Sequence, residues 1–242
     1  MGRIIERDRS IIPALDMSWY DLGEVVAATA RIDAIGAYKI GFFPVFTGGL
    51  TSTVMSVKDI LRNKDDVEKP VIYDHQKAGT DIPATGKNFA DAMAWAKVDA
   101  AILFPQAGPE TEKAWIEALQ ERDIGVIVGG WMTHKAYLST DGGYIDADRV
   151  LDIYLLAADL GVADFVVPGN QPDAIRQIKE SLEGRNVEPT FYSPGLVAQG
   201  GDISESAKAA GDRWHAIVGR GIYNAGGFEE MHEAAVKYGS QL

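Results

Sequence analysis

The stretch Ile11-Ile12-Pro13-Ala14-Leu15-Asp16-Met17-Ser18-Trp19 separates two architectures. Its first five residues form a short apolar run without polar alternation, the pattern of a strand buried on both faces of a parallel sheet. A doubly wound open sheet would follow such a first strand with Gly-x-Gly-x-x-Gly. Here the run passes into Asp16-Met17-Ser18-Trp19, which contains no glycine. Outward from it, similar runs recur at Tyr38 to Ile40, Val71 to Tyr73, Ala100 to Phe104, Val126 to Val128, Phe165 to Val167, Thr190 to Tyr192 and Ala216 to Val218. Most gaps between them carry a helical apolar period, as at Phe89, Ala92, Met93 and Ala96, or Ile175, Ile178 and Leu182. Eight strand-helix units of about 30 residues each predict an α/β fold, a (β/α)8 TIM barrel formed by residues 1–242 as one domain.

Composition agrees with that size of core. The chain has 242 residues, 46% hydrophobic and 24% charged, which excludes disordered and fibrous classes. It has no cysteine, hence no disulfide, thiolate metal site or cysteine nucleophile. The charged start Met1-Gly2-Arg3-Ile4-Ile5-Glu6-Arg7 is unlike a secretory leader, and no apolar run reaches the ~18 residues of a membrane span. A soluble cytoplasmic protein is expected. A net charge of −12 argues against nucleic acid and anionic membranes as partners, so an anionic ligand would need a locally basic or amide-lined site. No linker divides the chain. Lys64 to Lys69 is expected as a loop at the barrel's bottom face, and Ser139 to Asp148 as a polar loop after strand five.

In this fold the reactive groups stand at the C-terminal ends of strands and in the loops that follow. That rule selects Asp16, Lys39, Asp74, Lys77, Asp81, Gln106, Thr133, His134, Asn170, Gln199 and Arg220. Lys39 is the most informative, because an unpaired ammonium inside the apolar strand Tyr38-Lys39-Ile40 would be costly to desolvate. Asp16 and Asp74 on the flanking strands are its candidate partners, either as part of a reactive cluster or as a structural ion pair. The loops Ser193 to Asp202 and Val218 to Tyr223 bring glycine backbone N–H groups, Gln199 and the planar fork of Arg220 to where barrels commonly hold a phosphate. His75, His134, His215 and His232 lack the close pairing of metal sites. His75 is a candidate to join the lysine-aspartate cluster. Of the five tryptophans, Trp131 is the candidate to line the pocket.

Taken together, Ala14-Leu15-Asp16, Tyr38-Lys39-Ile40-Gly41, the Asp74 to Pro83 segment, Pro194-Gly195-x-x-x-Gln199-Gly200-Gly201-Asp202 and Val218-Gly219-Arg220-x-Ile222-Tyr223 resemble the orotidine 5′-phosphate decarboxylase family. The match runs in order from strand one to strand eight. The resemblance implies a cofactor-free carboxy-lyase that converts orotidine 5′-monophosphate (OMP) to uridine 5′-monophosphate (UMP) and CO2 in pyrimidine biosynthesis, with no metal. It further implies a Lys39, Asp74, Lys77, Asp81 array with Lys77 as proton donor, and Asp16 as a ribose ligand. Thr133 would read the pyrimidine, and Gln199, Gly219 and Arg220 would hold the phosphate. Asp81 and Thr85 would enter the site of the other subunit of a homodimer.

One feature departs from the family's Asp-x-Lys-x-x-Asp. This chain reads Asp74-His75-Gln76-Lys77-Ala78-Gly79-Thr80-Asp81, with one additional residue in each interval. Strand alternation points residues two apart to one face, so a spacing of three requires an irregular backbone, for which Gly79 is suited. The array is then either intact in space or that of a diverged member. Two other functions compete: a magnesium-dependent sugar-phosphate decarboxylase or aldolase of the same suprafamily, and a non-catalytic barrel that binds a phosphorylated ligand.

Overall fold

The computed structural model describes residues 2–63, 67–75, 79–197 and 199–242. Strands β1 (Arg9–Leu15), β2 (Tyr38–Ile40), β3 (Val71–Asp74), β4 (Ala100–Leu103), β5 (Gly125–Gly129), β6 (Asp164–Val166), β7 (Thr190–Ser193) and β8 (Trp214–Val218) form a closed parallel barrel in chain order. Closure is by β8 against β1, in register from Arg9 with Trp214 to Pro13 with Val218. Every apolar run is a strand, although Phe104 and Val167 fall one residue beyond β4 and β6.

Helices α1 (Leu22–Thr29), α2 (Phe42–Gly48), α3 (Leu50–Asn63), α4 (Gly86–Ala96), α5 (Pro109–Gln120), α6 (Val150–Asp159), α7 (Pro172–Glu183), α8 (Ile203–Ala210), α9 (Arg220–Tyr223) and α10 (Phe228–Gly239) connect the strands or follow the last. Thus α2 and α9 are additional to one helix per unit. Gly49, at φ +81°, stops α2 and lets α3 start on a new axis.

Both faces of each strand are apolar, so alternation is visible in packing rather than in polarity. Ile12, Ala14, Ile72, Ile102, Ile127, Val166 and Ile217 meet inside the barrel. Their strand neighbours Ile11, Leu15, Tyr73, Leu103, Val128, Phe165 and Val218 pack outward into the larger cluster shared with the helices. Burying these two layers is the main stabilising term, at about 1.5–3 kcal/mol for each large apolar side chain.

Ile4 and Ile5, ahead of β1, pack into the interior cluster and close the barrel's bottom. Val67 to Lys69 lie beside Arg3 and Ile4 at that end, as expected, whereas residues 64–66 lie outside the described residues. The lowest interior rungs are polar. Ser10 Oγ and His215 Nδ1 are hydrogen-bonded at 2.8 Å, and Tyr192 OH donates to Asp164 Oδ1 at 2.8 Å. Burial, reinforced by Arg3 and Arg7, lowers the His215 pKa to about 3, and burial raises that of Asp164 to about 6. The loop after β5 has more structure than a polar loop implies. It holds a 3-10 turn at Ser139–Asp141, and Tyr137, Leu138 and Val150 give it a small core of its own.

Candidate active site

A cavity of about 700 Å³ opens at the C-terminal ends of the strands. Its base is set by strand register. Lys39 on β2 is level with Ala14 of β1 and Ile72 of β3. Two residues further along each neighbour, hence again on the interior face, stand Asp16 and Asp74. The lysine therefore rises between two carboxylates, with Nζ 3.1 Å from Asp16 Oδ1 and 3.0 Å from Asp74 Oδ2.

Lys39 is 3% exposed. Burial alone would lower its pKa, but Asp74 and Asp16 outweigh burial and hold it above the ordinary lysine value. It is therefore a permanently charged group with fixed orientation. The Asp16 side chain is 42% exposed, which leaves acceptor capacity facing the cavity. Gly41 keeps that carboxylate in place, since a Cβ there would lie 2.2 Å from Asp16 Oδ1.

The rest of the wall comes from the segments that follow β5 to β8. Thr133, His134, Asn170, Gln199, Gly219, Arg220 and Trp131 all line the cavity. The loop after β7 turns back on itself, with left-handed backbone at Gly195, Val197 and Gly200 and a hydrogen bond from Gly201 N–H to the Gly195 carbonyl. A Cβ at Gly195 would lie 2.6 Å from Thr133 Cγ2, so only glycine lets the β7 loop close against the β5 loop. Asp202 caps α8 by accepting from Glu205 N–H at 2.9 Å, which gives the motif's last residue a structural task. Ala198 lies outside the described residues.

Arg220 contrasts with Lys39, because no carboxylate among the described residues forms an ion pair with it. A guanidinium facing a cavity beside Gln199 without a protein anion is suited to an anionic ligand group. Asp16, Asp74 and Arg220 thus give one cleft charged groups of both signs, able to take a molecule carrying an anionic head group and a hydroxylated body.

The candidates from strand ends do not all converge. Lys77 lies outside the described residues. Because β3 ends at Asp74, strand alternation fixes Asp74 alone and not a residue three further on. Gly79, at φ +88°, does supply irregular backbone, and a Cβ there would lie 3.0 Å from Pro105 Cα. Asp81 is exposed and Thr85 half-buried, and neither lines this cavity. Asp81 Oδ1 accepts its neighbour's Ile82 N–H, and the Thr85 hydroxyl donates to the Ile82 carbonyl.

Two candidates point elsewhere. Gln106 does not line the cavity; its amide donates to Tyr137 OH at 2.8 Å. His75 does not join the cluster; it is hydrogen-bonded to Tyr73 OH at 2.5 Å and packs near Phe89 on the outer layer. Sequence reasoning overlooked Lys135 and Tyr223 as cavity residues. Helical spacing was the available signal for Tyr223, three residues after Arg220 on α9. Burial and Asp16 raise the Tyr223 pKa, against Arg220 and Lys39.

The profile of the family described as "Orotidine 5'-phosphate decarboxylase / HUMPS family" matches residues 9–235. An orotidine 5′-phosphate decarboxylase of Pyrococcus furiosus is 34% identical over 229 residues, covering 94% of each chain. One from Methanosarcina mazei is 29% identical over 238 residues, covering 98% of this chain and 97% of the relative. The crystal structure of orotidine 5′-monophosphate decarboxylase from Methanocaldococcus jannaschii, complexed with the inhibitor BMP, is similar with a TM-score of 0.80 and 25% identity, over 98% of this chain and 99% of that one. With a match that spans the barrel from β1 into α10, the chain belongs to the orotidine 5′-phosphate decarboxylase / HUMPS family.

Proposed function

We propose that this protein decarboxylates OMP to UMP and CO2 without a cofactor, as a cytoplasmic homodimer with shared sites. The observation that carries this reading is the buried Lys39 held by Asp16 and Asp74 in the same cavity as the unpaired Arg220 and Gln199. The named relatives support the nucleotide reaction over a sugar-phosphate one.

Loss of CO2 from C6 of the pyrimidine leaves an electron pair in the ring plane, which the π system cannot delocalise. The site must stabilise that pair electrostatically, with groups oriented before the reaction starts. In this reading Asp74 lies against the departing carboxylate, and Lys39, fixed between two carboxylates, keeps the array oriented. Lys77 protonates the C6 carbanion, in line with the family's pattern. The bond from C6 to the carboxylate carbon breaks, its electron pair stays on C6, and the Lys77 ammonium proton then bonds to it. Asp16 accepts from ribose hydroxyls, Thr133 reads the pyrimidine edge, and Gln199, Gly219 and Arg220 hold the phosphate. Binding energy gathered at the phosphate closes the glycine-bearing β7 loop over the substrate and expels water from C6.

Asp81 and Thr85 complete the site of the partner subunit, which accords with their position outside their own cavity. Mixing the purified protein with OMP, with and without a metal chelator, tests the reaction through the change in pyrimidine absorbance. Turnover that the chelator leaves unchanged is expected. No turnover would remove the decarboxylase assignment, and turnover abolished by chelation would favour the magnesium-dependent alternative.

A further inference from the structure

A second cleft, of about 510 Å³, lies between the start of α5 and the segment leading into α6, and shares no residue with the cavity described above. At its base is Glu112. This residue occupies the face of α5 that also carries Trp115, Ile116 and Leu119, the positions three, four and seven further on, and is 2% exposed. Its Oε1 is buried without a hydrogen-bond partner. A carboxylate on a core-facing helical position without a hydrogen-bond partner among the described residues is expensive.

The rest of the cleft specifies what would relieve that cost. Pro109, Val150, Ile153 and Leu156 supply apolar walls, and Tyr144 stands wholly exposed at the rim. At the rim Arg149 Nε pairs with Asp152 Oδ2 at 2.9 Å, and Asp146 Oδ1 accepts from Asp148 N–H at 2.9 Å, a bond that leaves Asp146 its negative charge. One buried carboxylate among apolar walls falls far short of the six or more oxygens a calcium ion requires. A carboxylate, an alkyl-sized apolar slot and an aromatic face are the elements that recognise an organic ammonium.

We propose that this cleft binds a small alkylammonium, with its chain on Pro109, Val150, Ile153 and Leu156, its nitrogen donating to Glu112 Oε1, and the Tyr144 ring beside the charge. A net charge of −12 raises the local concentration of such cations. Burial raises the Glu112 pKa to about 8, in keeping with a carboxyl that lacks a counter-ion.

The test is titration of n-butylammonium and of 1-butanol, at pH 8, into methyl-labelled protein followed by NMR. The ammonium is expected to shift the methyl signals of Ile145, Ile153 and Leu156 saturably and to bind at least tenfold more tightly than the alcohol. Glu112→Gln is expected to reduce it to the alcohol's affinity. Tyr144→Ala is expected to weaken it about two- to fivefold, the equivalent of ~0.5–1 kcal/mol for an exposed cation–π contact. No saturable shift, equal affinity for both probes, or binding retained by Glu112→Gln would overturn the proposal. The comparison of the two probes on the native protein decides the matter even if the glutamine variant does not fold. An unchanged affinity in Tyr144→Ala would remove the ring from the site.

Discussion

Two cations of one cavity have opposite surroundings, and that difference separates their roles. Lys39 is buried and neutralised by Asp16 and Asp74, so removing it would leave two carboxylates facing each other. Arg220 has no anion among the described residues, so removing it should leave the fold intact and cost only what it gives a ligand. Arg220→Ala is expected to weaken binding of UMP roughly 10- to 150-fold, the equivalent of ~1.5–3 kcal/mol for a charge-assisted hydrogen bond, while uridine binding scarcely changes. Calorimetric titration of both ligands checks this, and an equal loss for both would assign Arg220 to the fold. Lys39 was legible because a lysine within an apolar strand demands a partner, and sequence order already offered Asp16 and Asp74. His75 and Gln106 misled because nearness to a strand's end does not fix direction. His75 follows Asp74 by one residue and so faces the outer layer, where Tyr73 holds it. Lys135 carried no local signal, since a lysine in a polar loop reads the same whether it faces a cavity or solvent.

At the level of elements, the strands were legible because burial on both faces leaves compact apolar runs, whereas α2 and α9 were not, being too short to show a period. Nor was the polarity of the barrel floor legible. Ser10 and His215 are register partners on β1 and β8, and Tyr192 of β7 reaches Asp164 of β6, but these pairings cross between strands and leave no mark within any one of them. These strands carry opposed proton linkages. His215 has a folded pKa of about 3 against 6.5 unfolded, so the unfolded chain binds more protons between those values and stability from this group falls as pH falls through that window. Asp164 has a folded pKa of about 6 against 3.8 unfolded, so its contribution runs the other way between those values. From pH 6 to 4 the two offset one another. Asp164→Asn retains an acceptor for Tyr192 OH but removes the offset. Its urea-unfolding free energy should therefore fall more steeply than wild type's over that range, by up to about 1.4 kcal/mol per pH unit before allowance for solvent screening of a partly exposed carboxylate. Parallel pH profiles for the two proteins would show that burial does not raise the Asp164 pKa in the folded barrel.

At the scale of the whole molecule, the proposed function draws on residues outside a protomer's own cavity. Asp81 and Thr85, which the proposed function assigns to the partner's site, do not line the cavity of their own chain. Tyr20, Phe46 and Ile82 are 80%, 76% and 61% exposed on the segments that follow β1, β2 and β3, large side chains that a solitary protomer would leave in water. Both features accord with the proposed homodimer, in which Asp81 of the partner subunit completes the array. If so, two inactive variants with defects in different subunits' shares of one site should complement each other. After Lys77→Ala and Asp81→Asn protomers are mixed, dissociated and reassociated, each heterodimer has one site with both defects and one with neither. Random pairing makes half the dimers mixed, and each has one intact site of two, so about a quarter of wild-type activity should return. Each variant treated alone in the same way should stay inactive. If no activity returns while mass measurement confirms mixed dimers, Asp81 acts within its own subunit and the site is not shared across the interface.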